Sequence, residues 1–198
     1  MPTPARTSIE EIVGAARDIL DADGQTGLTM QAVAARVGVR SPSLYKHVRS
    51  RDDLVGLVAT SVAQELAARL GGAVGGDAGD PRGQLIELAH RLRRFAHAQP
   101  EQYRLLFAPA SEASRATPEA LASSVAPLID ITTRLAGRGQ ALEAARTATA
   151  WATGFIAMEF AGAFRLGGDV DDAYDYGISR IADALAAGSA PADPGQDP

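Results

Sequence analysis

Between Thr29 and Val48 the chain carries a stop signal for one helix and a start signal for the next only three residues apart, and few folds accommodate both. The segment "TMQAVAARVG" opens on Thr29, whose hydroxyl suits an N-cap, and carries Val33, Ala34 and Val37 on one side. It ends at Gly38, where a positive φ is cheap for glycine alone. Three residues on, Ser41 followed by Pro42 predicts a second cap with proline at the first helical position, where its missing N–H costs nothing, and a helix running through "SLYKHV". Leu44 and Val48, four apart, then face the core with Val33 and Val37, and Ser41, Pro42, Ser43, Lys46 and His47 are left pointing outward. Two short helices joined at "GVRS" predict a helix-turn-helix.

The rest of the chain is helical in its periodicity. "SIEEIVGAARDILDADG" repeats Ile9, Ile12, Val13, Ala16, Ile19 and Leu20 on one face, with Ser8 to cap it, Glu10 and Glu11 at the positive end of its dipole and Gly24 to stop it. Ser50, with Asp53 three residues later, approximates a capping box for a helix reaching about Leu70. "GGAVGGDAGD", residues 71–80, predicts a flexible loop, after which Asp80 and Pro81 open a helix that breaks at Pro100. A short helix around "EQYRLLF" and a loop containing Pro109 follow. Further helices are predicted over Pro118 to Ala136, Leu142 to Leu166 and Asp171 to Ala187, with Pro127 expected to kink or divide the first. With neither strand signals nor an internal repeat, the class is all-α, with about nine helices.

A net charge of -5 hides a local surplus of the opposite sign. Five cations stand between Arg36 and Arg51 before the first acid appears at Asp52, and the only lysine of the chain, Lys46, is one of them. Residues 1–70 balance eight cations against eight acids, so the whole acidic excess belongs to the remainder. Screening acts over ~8 Å at physiological salt, so the local field decides what binds there. Small serines and a proline at a helix start allow close approach to base edges in a major groove, and Arg40, Tyr45, Arg49 and Arg51 can reach phosphates. Bland alternatives exist: Tyr45 closing a local core, the arginines forming a solvated face, Lys46 arising by chance and His47 having no role.

Other chemistries find little support. The absence of cysteine excludes disulfides, thiolate metal sites and a cysteine nucleophile. His90 and His97 are seven apart, ~10 Å along a helix, too far to share one ion without another element. There is no nucleophile elbow, and the glycine-rich segment lacks the Lys and Ser/Thr of a phosphate-binding loop, so neither an enzyme, nor a metal, nor a cofactor is expected. No signal-peptide run and no stretch of ~18 apolar residues is present, so no membrane association is expected and the expected location is the cytoplasm.

The run "GLTMQAVAARVGVRSPSLYKHVRSRDDLVGLVA", with the helix before it, resembles the DNA-binding domain of the tetracycline-repressor (TetR) family over about Ile9 to Ala59, with Gly38, Leu44, Tyr45, His47, Val48 and Leu54 in one register. "SPSLYKHVRSRDDL" is especially like the tetracycline-binding repressors. The resemblance implies phosphate contacts from Thr29, Tyr45, His47 and Arg51, and base-facing roles for Gln31, Ser41, Pro42, Ser43 and Lys46. It further implies a homodimer on a palindromic double-stranded operator, most often a repressor released by a small effector. The alternatives are an activator using the same contacts at another promoter position, or a helical enzyme or interaction protein that does not bind DNA. The domains expected are a helix-turn-helix domain over residues 1–55, a ligand-binding and dimerisation bundle over 56–188, and a disordered tail over 189–198.

The second domain concentrates large apolar groups whose plain reading is core, although helix bundles also line ligand cavities with such residues. Trp151, Phe155 and Met158 recur at spacings of four and three, and with Phe95 and Phe107 they are candidates to line a pocket for a small apolar effector. His97, Tyr103 and Glu159 are candidates for its polar contacts. Ala150, Gly154, Ala157, Ala161 and Gly162 allow another helix to approach closely, as in the four-helix dimer interface the resemblance implies. This part is also similar to the family's C-terminal type named for a Trp, His and Gly signature: Gly154, Met158 and Glu159 fit it, whereas Thr153 replaces its histidine and Trp151 is displaced.

Overall fold

The computed structural model describes residues 7–72, 80–109 and 111–187. Among them are nine α-helices, one 3-10 turn and no strand. The first helix, α1 (Ile9–Gly27), starts on a capping box in which Ser8 Oγ accepts from Glu11 N and the Glu11 carboxylate accepts from Ser8 N. Its buried face is Ile12, Ala16, Ile19 and Leu20. Gly24, the expected stop, is instead a break inside the helix, with φ 67° and ψ −173°, and helical backbone resumes as far as Gly27.

Helix α2 (Met30–Arg36) is capped as expected: Thr29 Oγ1 accepts from Ala32 N at 3.1 Å, and Gly38 beyond its end takes φ 73°. The next helix departs from expectation. Arg40, not Ser41, occupies the N-cap position of α3 (Ser41–Leu44), makes no side-chain cap bond, and leaves Ser41 as the first helical residue. The helix is a single turn and does not run through "SLYKHV". Beyond it, Lys46 N and His47 N bond back three residues, to the carbonyls of Ser43 and Leu44, in the tighter pattern that ends α-helices.

Helix α4 (Arg51–Gly71) follows the predicted start with one adjustment. Ser50 Oγ accepts from Asp53 N at 3.1 Å, but the short Asp53 carboxylate accepts from Arg49 N at 2.8 Å, one residue before the amide a glutamate would reach. Asp80 Oδ1 accepts from Gly83 N to start α5 (Pro81–Ala98), and Pro100 opens α6 (Pro100–Phe107). A 3-10 turn at Glu112–Ser114, not anticipated from sequence, is held by reciprocal Ser111 and Ser114 bonds. In α7 (Pro118–Ala136) Pro127 lies inside one continuous helix and does not divide it. Helix α8 (Ala141–Phe160) stops six residues short of Leu166, and α9 (Val170–Ala187) completes the described chain. Most of the loop expected over residues 71–80, and the tail expected over 189–198, lie outside the described residues.

The chain forms two compact units, one from Met1–Ala67 with Phe95–Ser124, the other from Ala68–Arg94 with Val125–Pro198. The boundary expected at residue 55 falls inside the continuous α4, within the first unit. In that unit α1 packs on α6, and Arg17 of α1 bonds both Glu65 of α4 and Gln102 of α6. Buried Gln102 also donates to Asp21 at 2.6 Å, so its amide is satisfied on both sides. In the second unit α8 packs on α9, and buried Tyr174 donates its hydroxyl to Ala89 O of α5 at 2.9 Å.

Candidate nucleic-acid interface

The segment from Thr29 to Arg51 divides by side. Leu44 and Val48 are buried at 0% and 1% exposure, with Leu28, Val33 and Leu54 also in the core, whereas Val37 is only half-buried. On the other side Pro42, Tyr45, Lys46, His47 and Arg49 are exposed, with Ser41 and Ser43 half-buried beside them. Thr29, Gln31 and Arg40 are exposed as well. Tyr45, at 56% exposure, does not close a local core.

Charge is available on this surface because it is not internally consumed. Among the described residues the side chains of Arg40, Lys46 and Arg49 form no ion pair, whereas Arg36 is held by Asp18 at 3.1 Å. Thr29 uses an oxygen lone pair to cap α2, which leaves its hydroxyl proton for an anion. Arg51 is exposed but differently placed: its Nε donates to Leu28 O at 2.7 Å and its Nη2 to Gln25 O, both at the end of α1. Sequence spacing gave no sign of this contact, which joins residues more than twenty positions apart.

The candidate pocket residues fall in both units. In the first, Phe95 and Tyr103 are buried and His97 is exposed, while Phe107, 42% exposed, sets its ring 4.6 Å from that of Tyr103. Burial pushes the Tyr103 hydroxyl up to about 12. In the second, Trp151 and Phe155 each lie 5.1 Å from the Tyr174 ring, so two members of the expected stripe pack in the helix interface, and Met158 is exposed. Glu159 binds the guanidinium of Arg93, which also meets Asp171 and sits 4.7 Å over the Tyr174 ring. Tyr174 and Arg93 were not singled out from sequence; the spacing of Tyr174, Ile178 and Ala182 by four was the available signal for the first. His90 lies 3.2 Å from Asp175 and 5.4 Å from the Tyr174 ring. Among the described residues no group of His, Asp or Glu is arranged to hold a metal ion, and no helix is long and apolar enough to cross a membrane.

Comparison with known proteins agrees with this arrangement. Residues 6–58 match the family described as bacterial regulatory proteins, tetR family, and residues 85–181 match the tetracyclin repressor-like C-terminal domain, together about three quarters of the chain. An uncharacterized HTH-type transcriptional regulator of Mycobacterium tuberculosis is 36% identical over 100 residues, 50% of this chain and 45% of that protein. The tetracycline repressor protein class E of Escherichia coli is 31% identical over 58 residues, 29% of this chain and 28% of that protein. The chain thus spans less than half the length of either of these relatives. A solved protein of unknown function from Rhodococcus sp. RHA1 is 26% identical with a TM-score of 0.75, covering 94% of this chain and 100% of that one. With an exposed cationic helix-turn-helix in the first unit and both halves of the chain matched, this chain belongs to the TetR family of bacterial transcriptional regulators.

Proposed function

We propose that the chain is a ligand-released repressor that binds a palindromic DNA operator as a homodimer in the cytoplasm. The observation that carries this reading is the exposed face from Arg40 to Arg49, whose three cations form no ion pair among the described residues while Leu44 and Val48 anchor its reverse side. In this reading residues 1–55 form the DNA-binding part and residues 56–188 the effector-binding and dimerisation part. Pro42, Ser43 and Lys46, with Ser41 and Gln31, face bases, and Thr29, Arg40, Tyr45, His47 and Arg49 face phosphates. Arg51 stands apart from the phosphate set because its Nε and Nη2 are bonded within the protein.

Dimerisation is supported by α8, where Ala150, Gly154 and Ala157 are exposed at near-helical spacing, a face narrow enough for a second helix. Two copies of the reading surface would then meet successive major grooves about 35 Å apart. The effector is taken to be small and apolar because aromatic groups, Phe107 beside Tyr103 among them, dominate the candidate lining. Selecting fragments of the host genome on the purified protein, then challenging the complexes with substrates and products of the neighbouring genes, tests the whole reading. Retarded duplex that a particular compound releases is the expected result; no retardation at low ionic strength overturns it.

A further inference from the structure

We propose that Arg51 is a positioning residue for the DNA-reading segment, acting as a clasp between the start of α4 and the end of α1 and not as a phosphate contact. The proposal rests on the DNA-binding reading above for its consequence, but its geometry stands alone. The last carbonyls of any α-helix lack intrahelical donors, and α1 has no basic residue in its final turn to supply them. Its end is further loosened by the break at Gly24 and by the non-helical Leu28 cap, at φ −73° and ψ 85°. Arg51 provides what is missing: Nε meets Leu28 O at 2.7 Å and Nη2 meets Gln25 O. These two nitrogens form the side edge of the planar guanidinium, one of the two edges by which it can grip an anion with two bonds.

The placement of the clasp gives it leverage. Leu28, whose carbonyl it holds, is buried and immediately precedes the Thr29 cap of α2. Arg51 itself is the first residue of α4, and two residues before it Arg49 N is fixed by the Asp53 carboxylate. The segment from Thr29 to Arg49 is therefore tied at both ends, and its two ends are tied to each other through Arg51. A lysine cannot reproduce this, because one ammonium on a flexible stem lacks the fork that spans two carbonyls, whereas it would serve a phosphate as a point charge.

The test compares wild type, Arg51→Ala, Arg51→Lys and Arg49→Ala on a random-sequence duplex of ~30 base pairs across a salt series, with amide hydrogen exchange on the DNA-free proteins. Loss of the clasp is expected to weaken binding on the order of five- to tenfold in both Arg51 variants, with the slope of log affinity against log salt unchanged. Exchange over residues 25–30 should accelerate in both Arg51 variants and not in Arg49→Ala. Arg49→Ala should flatten the slope by about 1 per subunit. The clasp is overturned if Arg51→Lys binds like wild type, or if Arg51→Ala flattens the slope as Arg49→Ala does and leaves exchange over 25–30 unaltered. If wild type retards no duplex, the DNA-binding reading fails separately, and exchange over 25–30 in Arg51→Ala still decides the clasp.

Discussion

A Cβ placed on Gly177 of α9 would lie 2.2 Å from Cζ2 of Trp151 on α8, so the two helices meet at a point where only hydrogen fits. Glycine inside a helix normally costs about 1 kcal/mol relative to alanine, and Gly177→Ala should therefore stabilise an isolated helix. Here it should do the reverse, because an aromatic ring locked against Tyr174 cannot yield. We expect a loss of about 1–3 kcal/mol and a fall in Tm of several degrees, measured by thermal unfolding and partly restored by adding Trp151→Leu. An unchanged or raised Tm would refute the close approach.

Glu159 holds Arg93 with two oxygens, at 3.0 and 2.6 Å, and Arg93 also reaches Asp171. Removing the Glu159 carboxylate leaves a mostly buried guanidinium with one exposed partner. Glu159→Ala should cost roughly 2 kcal/mol, less than the 3–5 kcal/mol of a fully orphaned buried charge, because Asp171 remains. Chemical denaturation measures this, and Glu159→Gln should fall between wild type and alanine. A variant as stable as wild type but unresponsive to inducer would support the effector-contact role expected for Glu159 from sequence.

On the reading surface, Arg40→Ala and Arg49→Ala should weaken all duplexes alike and each lower the salt slope by about 1 per subunit, whereas Lys46→Ala should change the ranking of operator variants. Binding titrations on a panel of sequences separate the two classes; uniform losses from all three would remove Lys46 from the base-facing set. Leu44→Ala, on the buried reverse side, should instead destabilise the protein itself by about 2–5 kcal/mol.

Glu87 accepts from Arg91 at 2.8 Å and from Arg94 at 3.0 Å, and the Arg91 bond chiefly holds its carboxyl below the ordinary 4.5. A depressed folded-state value means the stabilisation is complete above pH 4.5 and is lost as pH falls through the folded value. The effect is small for so exposed a group, on the order of 0.5 kcal/mol. Glu87→Gln should therefore lie slightly below wild type in stability at neutral pH and converge with it in acid. A gap that persists undiminished to pH 3 would show that packing, not charge, is responsible.

What sequence conveyed about this fold was mostly local. Ser8 with Glu11, Thr29 with Ala32, and Asp80 with Gly83 each join a side chain to an amide three residues away, and that spacing is visible in one dimension. The alternation of buried Leu44 and Val48 with outward Lys46 and His47 was legible for the same reason. The brevity of α3 was not, because cap and proline signals mark where a helix begins and say nothing of how far it propagates. Nor were the bonds of Arg51 to the end of α1, of Gln102 to Asp21 or of Arg93 to Glu159, whose partners lie 23 to 81 positions apart. Such pairs are set by how helices dock, and with 18 arginines in the chain spacing cannot say which carbonyl or carboxylate each one meets.

The single-turn length of α3 has a consequence for how such a protein can diversify. A motif this small borrows its shape from its surroundings, so transplanting those few residues into a foreign scaffold would carry over letters without the grammar that orders them. Conversely, in the reading proposed above, the exposed side chains of Pro42 and Lys46 meet the target and not the core, so new target sequences would be explored there while buried Leu44 and Val48 stay unchanged.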